Sequence, residues 1–176
     1  MGLGSDGGLL VPERIPSLER NIRDLSGASY SELAFEIFKL YIDDISERDL
    51  RQIVDKSYSN FSNSKVTPLV QVGEDYVLEL FHGPTLAFKD IALQFLGNVF
   101  EHILNQEKTF LNVLGATSGD TGSAAIAGLK GKKNINVFIM FPEGKTSSVQ
   151  EKQMTTVMDS NIHSIAIDGS FDDCQS

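Results

Sequence analysis

A lysine in an apolar motif is the first group in the sequence that could do chemistry. It is Lys89, in the run His82 to Asp90 (HGPTLAFKD), which lies between a predicted strand and a predicted helix. The positive end of the helix dipole and the apolar neighbours both disfavour an ammonium ion and so favour the neutral amine. A neutral lysine is nucleophilic and can form an imine with a carbonyl compound. The alternative interpretation is an ordinary surface lysine at a helix start.

A second candidate is the glycine-rich run from Gly115 to Gly122 (GATSGDTG), which follows a predicted buried strand and begins a helix. Small residues let backbone N–H groups approach an anion, and Ser118 and Thr121 add hydroxyl groups. A carboxylate or a phosphate is therefore the predicted ligand. The alternative is a strand-to-helix turn whose glycines serve only packing. The glycine spacing matches neither a P-loop nor a dinucleotide-binding fingerprint.

The other polar groups are weaker candidates. His82 could move a proton, but a role in turn structure is at least as plausible, and His102 and His163 are interpreted as structural. No two histidines have the spacing of metal ligands, and Cys174 is the single cysteine, so no metal site is predicted. The run from Glu143 to Ser148 precedes another helix and is interpreted as a solvated loop.

Composition limits the class of protein. The chain has 176 residues, 41% of them hydrophobic, and a net charge of −9. Those values exclude a disordered or fibrous protein, and the negative charge argues against nucleic acid or an anionic membrane as a main partner. One cysteine cannot form an intrachain disulfide, which suits a reducing compartment. No stretch approaches the roughly 18 apolar residues of a membrane-spanning helix.

Residues 1–64 are predicted to form a mainly helical N-terminal segment. Ser29 with Glu32 is a capping box, and Ser46 with Asp49 begins a second helix. The apolar face of the first helix is predicted from residues at helical spacing: Leu33, Ile37 and Tyr41, with Ala34, Phe38 and Ile42 beside them. The second helix is predicted to bury Leu50, Ile53, Val54 and Tyr58.

Residues 65–176 are predicted to form an α/β region. Two short strands, 69–72 and 76–80, flank a glycine turn. Strands and helices then alternate, which predicts a parallel sheet with crossover helices. The alternating segments are strands 110–114, 137–141 and 162–167 and helices 91–104, 121–129, 148–157 and 171 onward. Helix 91–104 is apolar nearly all round and is predicted to be buried on most sides, and strand 110–114 is predicted to be buried.

The lysine motif, combined with the Thr-Ser-Gly-Asp-Thr-Gly run, resembles the threonine synthase family of pyridoxal-phosphate enzymes, which has the tryptophan-synthase-β fold (fold type II). Residues 2–12, 148–154 and 169–175 agree, so the resemblance covers essentially the whole chain. It implies that 65–176 corresponds to the small-domain region of a larger two-domain enzyme. The family has a further N-terminal segment and continues well beyond the last residue here. Its loop for the cofactor phosphate lies in that continuation, so this chain is expected to be a fragment.

The resemblance also implies roles for individual residues. Lys89 would hold pyridoxal 5′-phosphate covalently and later act as the base that moves protons among substrate carbons. Asp120 would face the ring hydroxyl of the cofactor. Contacts with the substrate are implied for Thr85, Ser118, Gly119 and Thr121. The implied reaction converts O-phospho-L-homoserine and water to L-threonine and phosphate, the last step of threonine biosynthesis, in the cytoplasm.

Two alternatives stay open. One is a sister enzyme of the same fold type, such as threonine dehydratase or cysteine synthase. Sister enzymes often carry Asn where this chain has Asp120. That residue and the amino-acid sequence of the lysine motif therefore favour the synthase. The other alternative is a non-catalytic module that binds a phosphorylated small molecule. In either case the 176 residues alone are expected to be inactive as a synthase, and the sequence predicts no oligomeric state.

Overall fold

The structure of the protein, a computed structural model, describes residues 4–18 and 21–175. Gly2 and Leu3, which contribute to the family resemblance, lie outside this part, as does Ser176. A short 3-10 helix spans Ile22–Leu25. The helices that follow are α1 (Tyr30–Phe38), α2 (Glu47–Tyr58), α3 (Asp90–Glu107), α4 (Asp120–Leu129), α5 (Ser148–Thr155) and α6 (Phe171–Gln175). The strands are β1 (Leu69–Val72), β2 (Asp75–Leu78), β3 (Leu111–Ala116), β4 (Ile135–Pro142) and β5 (Ile162–Ile167).

The N-terminal segment is helical, with the two caps that the sequence predicts. The Ser29 hydroxyl accepts the Glu32 N–H at 3.3 Å, and the Glu32 carboxylate accepts the Ser29 N–H at 2.7 Å. Helix α2 buries all four predicted apolar residues. These helices share a core with α3, because Ile91 and Phe95 of α3 pack against it.

The predicted buried face of the first helix is correct for Ala34, Phe38 and Ile42, which are buried or pack against the core, and wrong for Leu33 and Tyr41. Leu33 is 40% exposed and Tyr41 is 51% exposed, whereas Ala34 and Phe35 are buried. Helix α1 ends at Phe38, so Tyr41 lies beyond it and cannot continue the helical stripe. The helix therefore packs through the face that carries Ala34 and Phe35.

The two predicted short strands are present, and β1 and β2 pair antiparallel as a hairpin, although β2 spans Asp75–Leu78 rather than 76–80. All the residues of both strands are exposed. A two-stranded hairpin with both faces in water is at best marginally stable. This hairpin therefore depends on whatever packs against it.

Strands β3, β4 and β5 form the predicted parallel sheet, in that order. The central strand β4 alternates, and its inward residues pack against α4 and α5. The prediction of a buried strand at 110–114 is wrong, since Phe110 is 67% and Leu114 is 68% exposed. The reason is position: β3 is an edge strand of this sheet, and only alternate residues face the core.

Helix α3 packs on most sides, as its apolar sequence predicts: from Asp90 to Leu104 only Ala92 and Leu96 are exposed. Leu96 is 39% exposed, and the buried residues are mostly polar or small. A Cβ at Gly97 would clash with the backbone of Gly128, and a Cβ at Gly128 would meet the Leu93 carbonyl at 2.5 Å. Helices α3 and α4 therefore touch backbone to backbone. None of the helices in the described ranges is both long and apolar enough to span a membrane.

Candidate functional site

The lysine loop, residues 82–90, is built around the buried carboxylate of Asp90. That carboxylate accepts the Thr85 N–H and the Thr85 hydroxyl, both at 2.8 Å, and backbone N–H groups of Leu86 and Ala87. Burial raises the pKa of Asp90, although these four hydrogen bonds oppose the shift. Gly83 is required here, because a Cβ would overlap the Asp90 side chain. The loop is thus a rigid turn that begins α3.

Lys89 lies at the N-cap of α3, as the sequence predicts. Its Nζ lies 4.7 Å from the centre of the Phe88 ring, and no carboxylate in the described ranges pairs with it. The lysine borders a cavity of about 430 Å3. The cavity is lined by Phe88, Lys89, Ile91, Ala92, Leu93 and Thr121. The amine therefore borders an apolar space at the positive end of a helix, beside a residue of the second motif.

The glycine-rich loop, residues 115–122, joins β3 to α4. Thr117 is 2% exposed, and its hydroxyl accepts the N–H groups of Gly119 at 3.0 Å and Gly122 at 2.8 Å. Gly119 has a φ of 147°, which disfavours a side chain. Within the described residues, the N–H groups of Ser118, Asp120 and Thr121 have no hydrogen-bond acceptor.

These three free donors lie at an exposed helix N-terminus, where the dipole favours negative charge. The structure therefore gives the glycine-rich loop the means to bind an anion. It also shows what the sequence did not reveal, that Thr117 rather than Ser118 or Thr121 organises the loop. The signal available in the sequence was a threonine that closely follows a predicted strand.

Helix α5 contacts both loops. The Gln150 amide donates to the Asp120 carboxylate at 2.6 Å, and Gln153 donates to the Thr85 carbonyl at 3.0 Å. Ser147 caps the helix, as predicted, and its hydroxyl donates to the Gln150 Oε1 at 2.7 Å. The sequence alone predicted no site role for either glutamine. Their spacing of three residues, on one helical face, was the signal.

The predicted site residues fall into three groups. Lys89 and Thr121 line one cavity, and Ser118, Gly119 and Asp120 precede Thr121 in the same loop. Gly119 is buried, whereas the other three predicted residues of the glycine-rich loop are exposed. Thr85 belongs to the lysine loop, and its hydroxyl already donates to a carboxylate there.

The remaining candidates lie elsewhere. The Nε2 of His82 is 2.7 Å from a carboxylate oxygen of Glu79, and His82 does not line the lysine cavity. A larger cavity of about 680 Å3 lies mainly along the segment that joins α1 to α2 and contains none of the predicted site residues. Among the residues described, no group of three or more His, Cys, Asp or Glu side chains is arranged to hold a metal ion.

Comparisons with known proteins agree on one family. The family described as "Threonine synthase N terminus" matches residues 1–58. The chain is 53% identical over 186 residues to a threonine synthase of Schizosaccharomyces pombe, and 49% identical over 191 residues to one of Saccharomyces cerevisiae. Each match covers 99% of this chain but only 36% and 37% of those relatives.

Two solved structures are also similar over 99% of this chain. They are a PLP-bound threonine synthase from Brucella melitensis, at 45% identity, and threonine synthase from yeast, at 49% identity, both with a TM-score of 0.91. The chain covers 38% of each of those proteins. It therefore spans well under half the length of the relatives that it matches.

Proposed function

We propose that this chain, which matches the N-terminal portion of the threonine synthase family in sequence and in fold, is the lysine-bearing part of a threonine synthase. Such an enzyme converts O-phospho-L-homoserine and water to L-threonine and phosphate. The observation that carries the proposal is the placement of Lys89, whose amine has no carboxylate partner in the described ranges and borders an apolar cavity beside the glycine-rich loop. We also propose that the helical segment ends near residue 64 and that the α/β region begins there.

Pyridoxal phosphate fits the residues that are present. Its carbonyl carbon needs an amine, and its planar ring needs an apolar space beside that amine. Lys89 and the cavity of about 430 Å3 supply both. When bound, the cofactor supplies an electron sink for carbanion chemistry. By resemblance to the family, Asp120 would lie against the ring hydroxyl, and the cofactor phosphate would be held by residues beyond these 176.

The chain's own groups have distinct tasks in this proposal. Lys89 would hold the cofactor and afterwards move protons at the substrate carbons, from its place at the start of α3 beside the apolar cavity. The free N–H groups at the start of α4 bind the substrate carboxylate, and the hydroxyls of Ser118 and Thr121 add to that site. By the resemblance Thr85 would complete the substrate contacts, with its hydroxyl oxygen as an acceptor, because its N–H and O–H already donate to Asp90.

Threonine dehydratase and cysteine synthase are the rival activities, because enzymes of the same fold type share a lysine and an anion-binding loop. The amino-acid sequence of the lysine motif and the acidic residue at position 120 favour the synthase. The matched relatives are named threonine synthases, which supports the same choice. A small-molecule substrate is common to all three activities.

The test is a product assay on the full-length polypeptide with pyridoxal phosphate and O-phospho-L-homoserine. We expect phosphate and L-threonine in equal amounts, and loss of at least about a thousand-fold in kcat for Lys89→Ala. Lys133→Ala is the control, since that lysine is exposed and outside the cavity, and it should retain activity. Production of 2-oxobutyrate from threonine, or of cysteine from O-acetylserine and sulfide, in place of threonine would contradict the proposal.

We propose that the 176 residues alone do not turn over phosphohomoserine. They supply the lysine and the carboxylate loop, but the charge-assisted hydrogen bonds to the cofactor phosphate would be missing. Each such bond contributes about 1.5–3 kcal/mol, so loss of several weakens cofactor binding by orders of magnitude. A cytoplasmic location is also proposed, which agrees with the single cysteine.

A further inference from the structure

We propose that helix α5 is a positioning element. Through Gln150 and Gln153 it fixes the position of the glycine-rich loop relative to the lysine loop. The inference rests on the proposed function only for the identity of the substrate. Its structural basis is one short helix that donates one side-chain hydrogen bond to each loop.

The orientation of the Gln150 amide is determined by its neighbours. The Ser147 hydroxyl donates to Oε1 at 2.7 Å, which leaves the NH2 group to donate to the Asp120 carboxylate at 2.6 Å. A hydrogen bond to an ionised acceptor is about twice as strong as one between neutral groups. Gln150 therefore holds Asp120 in one direction at the start of α4.

The glycine-rich loop is shaped to receive Gln150. A Cβ at Gly119 would lie 2.5 Å from the Gln150 Cδ, so any larger residue would displace the glutamine. The Ser123 hydroxyl, one turn into α4, donates to the Gly119 carbonyl at 3.1 Å and lies 3.5 Å from the Gln150 carbonyl. The packing of α5 against this loop is thus close.

The second contact reaches the lysine loop from the same helix face. Gln153 donates to the Thr85 carbonyl, while the N–H and hydroxyl of Thr85 both donate to Asp90, directly after Lys89. A movement of α5 would therefore be transmitted to both loops. Because Met154, next to Gln153 on the same helix, is fully buried in the sheet core, the helix is itself fixed.

A first experiment needs no substrate. Hydrogen–deuterium exchange on the full-length protein compares Gln150→Leu, Gln153→Leu and, as the control, Lys152→Leu, an exposed position on the same helix. Gln150→Leu should speed exchange in residues 117–123 about ten-fold, and Gln153→Leu should speed it in residues 84–90 about five-fold. The control should change neither segment. No change in either segment, or a change in the Lys152→Leu control as large as in the glutamine variants, would overturn the proposal.

A second experiment reverses the donor and the acceptor. Gln150→Glu sets two carboxylates side by side, so one must carry a proton for the hydrogen bond to persist. In the holoenzyme we expect the KM for phosphohomoserine to rise about ten-fold at pH 8, with a smaller penalty at pH 6 and little change in kcat. In the Asp120→Asn background, the new amide can donate to the new carboxylate, so adding Gln150→Glu to that variant should be nearly neutral.

The coupling between the two positions decides the result. If Gln150→Glu is equally harmful in the wild type and in the Asp120→Asn background, or if its penalty is independent of pH, Gln150 has only a structural role and the proposal fails. The exchange rates report the same coupling even if Asp120→Asn abolishes turnover. If the full-length protein forms no threonine while the exchange pattern holds, the proposed function fails and the positioning role stands.

Discussion

Thr117→Val tests how the anion-binding loop is held in shape. The hydroxyl accepts two N–H groups, from Gly119 and Gly122, and all three residues are buried. Valine has nearly the same shape and no acceptor, so both N–H groups lose their partner without access to water. An unsatisfied buried donor costs about 1–3 kcal/mol, so the loop should lose about 2–6 kcal/mol of local stability.

Amide exchange measures this loss directly. Because 1.4 kcal/mol corresponds to a factor of about ten, the Gly119 and Gly122 amides should exchange at least about thirty-fold faster in the variant. Thr117→Ser is the matched control: it keeps the acceptor and removes one methyl group, worth about 0.8 kcal/mol. Exchange in Thr117→Val within about three-fold of the wild type, or equal damage from serine and valine, would refute the reasoning.

Three further predictions concern packing, charge and the isolated chain. Gly83→Ala should destabilise the protein by about 1–3 kcal/mol in chemical denaturation, because the new methyl overlaps Asp90, whereas Gly27→Ala, in open space, should not. Glu101→Gln should lower the free energy of unfolding by about 1–3 kcal/mol at neutral pH, and Glu107→Gln, exposed on the same helix, should have little effect. Burial alone would raise the pKa of Glu101, but the ammonium groups of Lys56 and Lys132 more than offset that effect, so the pKa is lowered. The difference in the free energy of unfolding between the wild type and Glu101→Gln should therefore be present above pH about 4.5 and vanish as the pH falls through the lowered pKa. The 176-residue chain alone should associate as its concentration rises in analytical ultracentrifugation, because its hairpin exposes apolar residues on both faces, and a monomer at all concentrations would contradict this.

Local patterns predicted the elements that carry the two loops. Period and turn residues predicted the two short strands β1 and β2 around a turn and the parallel sheet that β3, β4 and β5 form. Side-chain caps at Ser29, Ser46 and Ser147 predicted helix starts, because each cap depends on residues only three apart. Lys89 was correctly expected at a helix N-terminus because its motif lies between a predicted strand and a predicted helix, although it forms no side-chain cap.

Burial could not be predicted from the same patterns. Whether Leu114 is buried depends on β3 being an edge strand, which is a property of the sheet and not of the segment. The buried side of α3 is set by backbone contact at Gly97 and Gly128, which lie 31 positions apart in the printed sequence. The hydrogen bonds of Gln150 and Gln153 could not be predicted for a similar reason, since their partners lie 30 and 68 residues away in the sequence.

The most direct test of the central claim is to identify the lysine that holds the cofactor. The full-length protein is loaded with pyridoxal phosphate, reduced with borohydride, digested and mapped by mass spectrometry. We expect the pyridoxyl group on Lys89, because its amine has no carboxylate partner in the described ranges and borders the apolar cavity beside the glycine-rich loop. The group on Lys130, Lys132 or Lys133 instead, with Lys89 unmodified, would contradict the account.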